Sequence, residues 1–159
     1  MTDARCPSVG LAFGPDGRLL ATGSADGVVR LWNTADPARS ITLAGRLTGH
    51  QNQVGTLAFS PDGRTLVSGG ADTTVRTWDV AARAPLDGPL TGHTLPVGDV
   101  AFAPDGHTLV TAGWDDIVRL WETDPARLLP RLCAATAGAH DRELWQRHVP
   151  GTPYAPGCN

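Results

Sequence analysis

Ser68, His50 and Asp72 supply a hydroxyl, an imidazole and a carboxylate, the three groups of a nucleophilic triad. Such a triad needs an exposed hydroxyl beside its base, together with donors for an oxyanion. Two features of the sequence argue for a structural role instead. The same three residue types recur as Thr111, His93 and Asp115, whereas an active site is normally single, and no G-x-S-x-G elbow occurs anywhere. Cys133, His140, His148 and Cys158 offer two thiolates and two imidazoles, which could make a tetrahedral zinc site. Their separations of 6, 7 and 9 intervening residues match no compact zinc pattern. Neither a metal nor a cofactor is therefore expected. The bland reading of the four is one buried cysteine, one surface cysteine and two solvated histidines.

Composition narrows the function classes further. The 159 residues are the length of one ordinary domain with a tail, and a hydrophobic content of 41% suffices for a core. All thirteen basic residues are Arg, so neither a P-loop lysine nor a Schiff-base lysine is available. A net charge of -3 provides no basic field for phosphate backbones, and nucleic acid is not an expected partner. No apolar run approaches the roughly 20 residues that span a bilayer, and the N-terminus has no leader pattern, so no membrane partner is expected. Three scattered cysteines, Cys6, Cys133 and Cys158, fit a reducing compartment better than a disulfide framework, and the expected location is cytoplasmic. A Cys133 to Cys158 pair would be disfavoured there.

The elements that hold His50, Ser68 and Asp72 are set by an internal repeat. Three copies begin at Val9 (VGLAFGPDGRLLATGSADGVVRLWN), Val54 (VGTLAFSPDGRTLVSGGADTTVRTWD) and Val97 (VGDVAFAPDGHTLVTAGWDDIVRLWE). Phe13, Phe59 and Phe102 lie 46 and 43 residues apart, while the distance from Phe to Trp32, Trp78 or Trp121 is always 19. His50 and His93 each precede their Phe by 9, so the length difference falls between Trp and the next Gly-His. Insertions there suit an exposed outer strand and its loops. Within a copy, short alternating stretches separated by turn residues read as three strands. Pro-Asp-Gly at 15–17, 61–63 and 104–106 suits a hairpin turn with a bulge, and stretches 41–47 and roughly 86–91 are expected to supply a fourth strand each. A period of 40 to 45 residues with four strands is the mark of a propeller blade.

Gly49-His50 to Trp78-Asp79 and Gly92-His93 to Trp121-Glu122, with AFSPDG between, resemble the WD-repeat family over residues 9–122. The resemblance implies an all-β fold, a partial β-propeller of about three four-stranded antiparallel blades. The approximate blade limits are 1–40, 41–85 and 86–123, followed by a short helical tail at 124–159. It also implies a buried relay in each repeat, in which Trp donates to a hydroxyl, the hydroxyl bonds His, and His bonds Asp. The second relay would use Trp78, Ser68, His50 and Asp72, and the third Trp121, Thr111, His93 and Asp115. The first has only Trp32, Thr22 and Asp26, with Ala4 where His should stand, as if the chain were cut into that blade. Asn33 and Glu122 replace the Asp that usually follows Trp. One such bond contributes about 1 kcal/mol net, but a partner left buried and unpaired costs about 1–3 kcal/mol.

Past Glu122 the pattern turns helical. Asp124 can cap a helix with Pro125 at its first position and Leu128, Leu129, Leu132 and Cys133 on its apolar face, shortened by Pro130. A second helix is expected from Asp141 to His148, stopped by Pro150-Gly151. The closing DRELWQRHVPGTPYAPGC is similar to the end of large actinobacterial WD-repeat proteins, in which a propeller follows a signalling NTPase, kinase or DNA-binding region. That likeness implies a natural C-terminus, with further blades and any catalytic domain upstream, and a bacterial source.

The expected function is a non-enzymatic protein-interaction scaffold that binds other proteins, or itself by completing a propeller. The alternatives are the sensor end of a split or truncated signalling NTPase or kinase, and a degenerate fragment. In the WD-repeat family partners usually bind the face of the Gly-His loops and of the turns before the third strand. Here those positions are Gln51, Gln53, Thr94, Pro96, Ala25, Ala71 and Trp114. Trp114 stands where the other copies have Ala, and an exposed Trp on a loop suits a binding hot spot. Packing beneath a neighbouring segment is the competing role for it.

Overall fold

Short runs rich in Val, Leu, Thr and Trp, each ended by an Asp- or Gly-bearing turn, become strands because β-branched and aromatic side chains fit a pleated surface. The computed structural model of the protein describes residues 8–36 and 41–123, and all regular structure among them is β. The first copy forms β1 (Ser8–Phe13), β2 (Leu19–Ser24), β3 (Val29–Asn33) and β4 (Thr42–Leu47). The second forms β5 (Val54–Phe59), β6 (Thr65–Gly70), β7 (Val75–Asp79) and β8 (Ala84–Pro85), and the third β9 (Val97–Phe102), β10 (Thr108–Gly113) and β11 (Val118–Glu122). Each set is one sheet with its strands side by side in chain order. Pairing is antiparallel. The result is the all-β, partial β-propeller architecture, and the strands up to Trp121 belong to one compact unit.

The third sheet has three strands among the described residues, which end at residue 123. In the second sheet the outer strand is not 86–91: β8 pairs at Ala84–Pro85, and Leu90 returns as a single bridge to Val75. Gly88 and Pro89 stand between the two points of pairing, and proline lacks the N–H that a continuous ladder needs. The helical tail, Ala4, and the Cys133, His140, His148 and Cys158 set lie outside the described residues.

The Pro-Asp-Gly turns form as their chemistry directs. Gly17, Gly63 and Gly106 all take φ near 70° (68°, 71° and 72°), and each N–H bonds the carbonyl three residues back, on Gly14, Ser60 or Ala103. The Asp side chain accepts the backbone N–H two residues on, at Arg18, Arg64 and His107. Register also resolves a false match in the sequence. Gly10 pairs with Gly23 as Thr56 pairs with Gly69, so Val9-Gly10 stands one place further along its strand than Val54-Gly55.

Alternation puts each sheet's two faces against different neighbours. Leu57, Leu66 and Trp78 of the second sheet pack with Ala21, Val29 and Leu31 of the first. Val67 and Val75, on the opposite face of the second sheet, pack with Val97, Val100 and Leu109 of the third. Thr56 Oγ1 donates to Asp99 Oδ1 at 3.0 Å, a polar link from β5 to β9.

Candidate functional site

The middle sheet carries a chain of four side chains. Trp78 Nε1 on β7 donates to Ser68 Oγ on β6 at 2.8 Å. Ser68 Oγ lies 2.8 Å from His50 Nε2, and His50 Nδ1 lies 3.0 Å from the Asp72 carboxylate. Trp has one donor, so Ser68 must accept it and is left to donate its own proton to His50, whose Nδ1–H then serves Asp72. Asp72 in turn accepts from the backbone of Gln51 and from the hydroxyl of Thr74, each at 2.8 Å. The network ties two strands to the loop before β5 and to the β6–β7 turn. The third sheet repeats it: Trp121 Nε1 to Thr111 Oγ1 at 3.0 Å, Thr111 Oγ1 to His93 Nε2 at 2.8 Å, and His93 Nδ1 to Asp115 Oδ1 at 2.9 Å.

Room for the imidazole comes from a glycine. A Cβ on Gly70 would lie 2.6 Å from both His50 Nδ1 and Asp72 Oδ1, and one on Gly113 would overlap His93 Nδ1 and Asp115 Oδ1. Any side chain there would push the ring off its carboxylate.

The first sheet holds its carboxylate differently. Trp32 Nε1 donates to Thr22 Oγ1 at 2.9 Å, but Asp26 receives the guanidinium of Arg30, with Nη2 to Oδ2 at 2.7 Å. Arg30 Nη1 also donates to Ser24 Oγ at 2.8 Å. Ser24 occupies the register place of Gly70, one step past the paired glycine, Gly23 or Gly69. The sequence reading missed Arg30 and Ser24. Their signal was present: the one copy without a Gly-His is also the one with Ser where the others have Gly.

Burial holds His50 below its ordinary pKa against the opposing pull of the Asp72 charge, so the ring is neutral at pH 7. Burial works against the Asp72 carboxylate too, yet the Gln51 N–H, the Thr74 hydroxyl and the His50 ring keep its pKa below the usual value. The Thr94 N–H, joined by the His93 ring and the Ile117 N–H, lowers Asp115 to about 2. These groups satisfy one another. Ser68 and Thr111 have 0% exposure, so neither hydroxyl is open to a substrate. The geometry therefore suits a lock on loop position rather than nucleophilic attack.

The chain matches the WD domain, G-beta repeat family over residues 5–33, 41–79 and 86–122. It belongs to the WD-repeat family. Comparison with curated proteins finds no match to it. WD-repeat domains generally mediate protein–protein interaction and are typically non-catalytic.

Each WD-repeat relay ends at the loop rim where the candidate contact residues lie. The β10–β11 turn is fastened to the loop before β9 by Trp114 N–H to Pro96 O at 2.9 Å, as Ala71 N–H bonds Gln53 O at 2.8 Å in the second sheet. Gln51, Thr94 and Ala25 are exposed, and Gln53, Pro96 and Ala71 are half-buried. Trp114 is 72% exposed with its indole lying over Gly98, where a Cβ would sit 3.0 Å from the ring.

Proposed function

We propose that this WD-repeat chain is a cytoplasmic protein-interaction scaffold with no catalysis of its own, which holds a partner on the rim formed by Trp114, Gln51, Gln53, Thr94 and Pro96. One observation carries the reading: a large indole stands 72% exposed on a turn whose aspartate is locked by a buried relay. Rigid loops presenting an aromatic anchor lose little conformational freedom on binding, the condition for a hot spot. Propeller completion with another WD-repeat surface, including a second copy, belongs to the same reading.

Selection of displayed peptides on immobilised wild-type chain, followed by titration of the enriched sequences, tests the rim. Trp114→Ala weakens the selected peptides by at least about tenfold, as expected for a hot-spot aromatic. Equal affinity for wild type and variant would overturn the assignment of the rim.

A further inference from the structure

Among the described residues, the two outward faces of the three-sheet array are open halves of an interface that the chain already makes. Between the first and second sheets, Val29 and Leu31 of β3 are covered at 0% and 1% exposure by a face that includes Leu57 and Leu66. The register equivalents on β11, Val118 and Leu120, are 66% and 72% exposed. On the opposite end, Leu11 and Phe13 of β1 are 66% and 60% exposed, although Leu57, the equivalent of Leu11, is 8% exposed.

The match extends to sequence. Residues 29–32 and 118–121 both read Val-Arg-Leu-Trp, and residues 11–13 and 57–59 both read Leu-Ala-Phe. The internal contact sets the Val and Leu of a Val-Arg-Leu-Trp strand on the Leu and Phe of a Leu-Ala-Phe strand, and the two open faces present one set each. We propose that two copies of the chain close into a single ring, the β11 face of each seated on the β1 face of the other.

Blade number supports two copies over other assemblies. β-Propellers have about 4–8 blades, and two copies of the three sheets among the described residues give six. The contact is heterologous, because different patches meet, and it closes only if the rotation per blade brings the last face back to the first. A two-copy ring covers all four apolar faces with two identical interfaces. The proposal rests on the interaction-scaffold reading and names the partner of its sheet faces; the rim around Trp114 is a separate surface.

The test is solution mass by light scattering on the 159-residue chain and two variants. The wild-type chain runs at twice 16.6 kDa. Leu120→Arg and Leu11→Asp, both at exposed positions, each run at the mass of one chain and keep a cooperative melting transition. An equimolar mixture of the two variants returns to the mass of two chains, since one interface then pairs Arg with Asp and the other is wild type. A face meeting its own twin would not be rescued by mixing, because Arg would then meet leucine. A wild-type monomer, an open-ended series of masses, or a mixture that stays monomeric overturns the ring. Peptide capture separates this from the rim reading: a monomer that still binds the selected peptides sinks the ring alone, and a two-copy species that binds none supports the ring and sinks the rim.

Discussion

The first and second sheets hold a carboxylate at the same turn by two different devices. In the second, a neutral imidazole spans from Ser68 to Asp72, and Gly70 leaves the space for the ring. In the first, the guanidinium of Arg30 reaches Asp26 along its own strand and turn, and Ser24 fills the place of that glycine while accepting one of its N–H groups. The carboxylate does the same local work in both, accepting the backbone N–H two residues on, at Val28 or Thr74. The requirement is thus a fixed acceptor at the turn, and the residue that neutralises it is exchangeable only together with the residue that makes room.

The largest expected effect tests that pairing. Gly70→Ala forces a Cβ against the His50 ring and the Asp72 carboxylate, and the strain of an overpacked site costs about 1–3 kcal/mol, here near the upper end because the network is disrupted as well. Ser24→Ala, at the matching place, removes one hydrogen-bond partner of Arg30 and costs about 1 kcal/mol or less. Urea unfolding of both variants makes the comparison, and equal losses would mean that Gly70 is not there to admit the ring.

Next comes the indole end. Trp78→Phe leaves Ser68 without its donor in a fully buried setting and lowers stability by about 1–3 kcal/mol. Trp32→Phe loses the bond to Thr22 on a face that is only half-buried, and costs about 1 kcal/mol or less. The pair is best measured in the Leu120→Arg background, so that no second copy covers the first sheet. An unchanged melting curve for Trp78→Phe would remove the relay from the list of stabilising features.

Much of this was legible beforehand because it is local and periodic. The constant Phe-to-Trp spacing fixed which residues share a sheet, and Pro-Asp-Gly dictated its own turn through the φ of proline and glycine. His50, Ser68, Asp72 and Trp78 could be named together since their spacing recurs at His93, Thr111, Asp115 and Trp121. What sequence did not reveal depends on direction in space. Arg30 is one of three arginines at the same strand position, and only Ser24 and the missing Gly-His mark it out; that it turns toward Asp26 while Arg119 bonds the Gly92 carbonyl is a matter of side-chain direction. The break in the outer strand at Gly88-Pro89 comes from the N–H that proline lacks, a local effect that the repeat period does not carry. Trp114 was recognisable as unusual, but its place beside Gly98 and its 72% exposure are set by side-chain direction.

The pH dependence separates imidazole from guanidinium. Asp72 and Asp115 have folded pKa values below the ordinary 3.8, so the unfolded chain binds protons first on acidification. Their stabilisation is full above about pH 4 and is lost as the pH falls toward the folded values, about 2 for Asp115. His50 is held below 6.5 by burial, so the unfolded chain again takes the proton first, and stability begins to fall below pH 6.5. His50→Gln keeps one donor and one acceptor but cannot titrate. Its stability at pH 7 is lower than wild type, and the decline between pH 6.5 and 4 is shallower. Parallel declines in the two proteins would show that the ring is not buried as described.

The smallest effect belongs to the first sheet. Arg30→Met removes the ion pair and the bond to Ser24 but keeps the aliphatic stem, and because the Asp26 side chain is 31% exposed the loss is about 0.2–1 kcal/mol. Water and the Val28 N–H can still serve the carboxylate, which is why this loss stays below that for Gly70→Ala. The penalty should shrink as salt is raised, since a partly exposed pair is screened, whereas that of Gly70→Ala, which is steric, should not. Unfolding of both variants in low and in molar salt gives the decisive contrast: a salt-independent loss for Arg30→Met would mean that the arginine acts through packing of its stem, and that the first sheet fixes its turn without a charged partner.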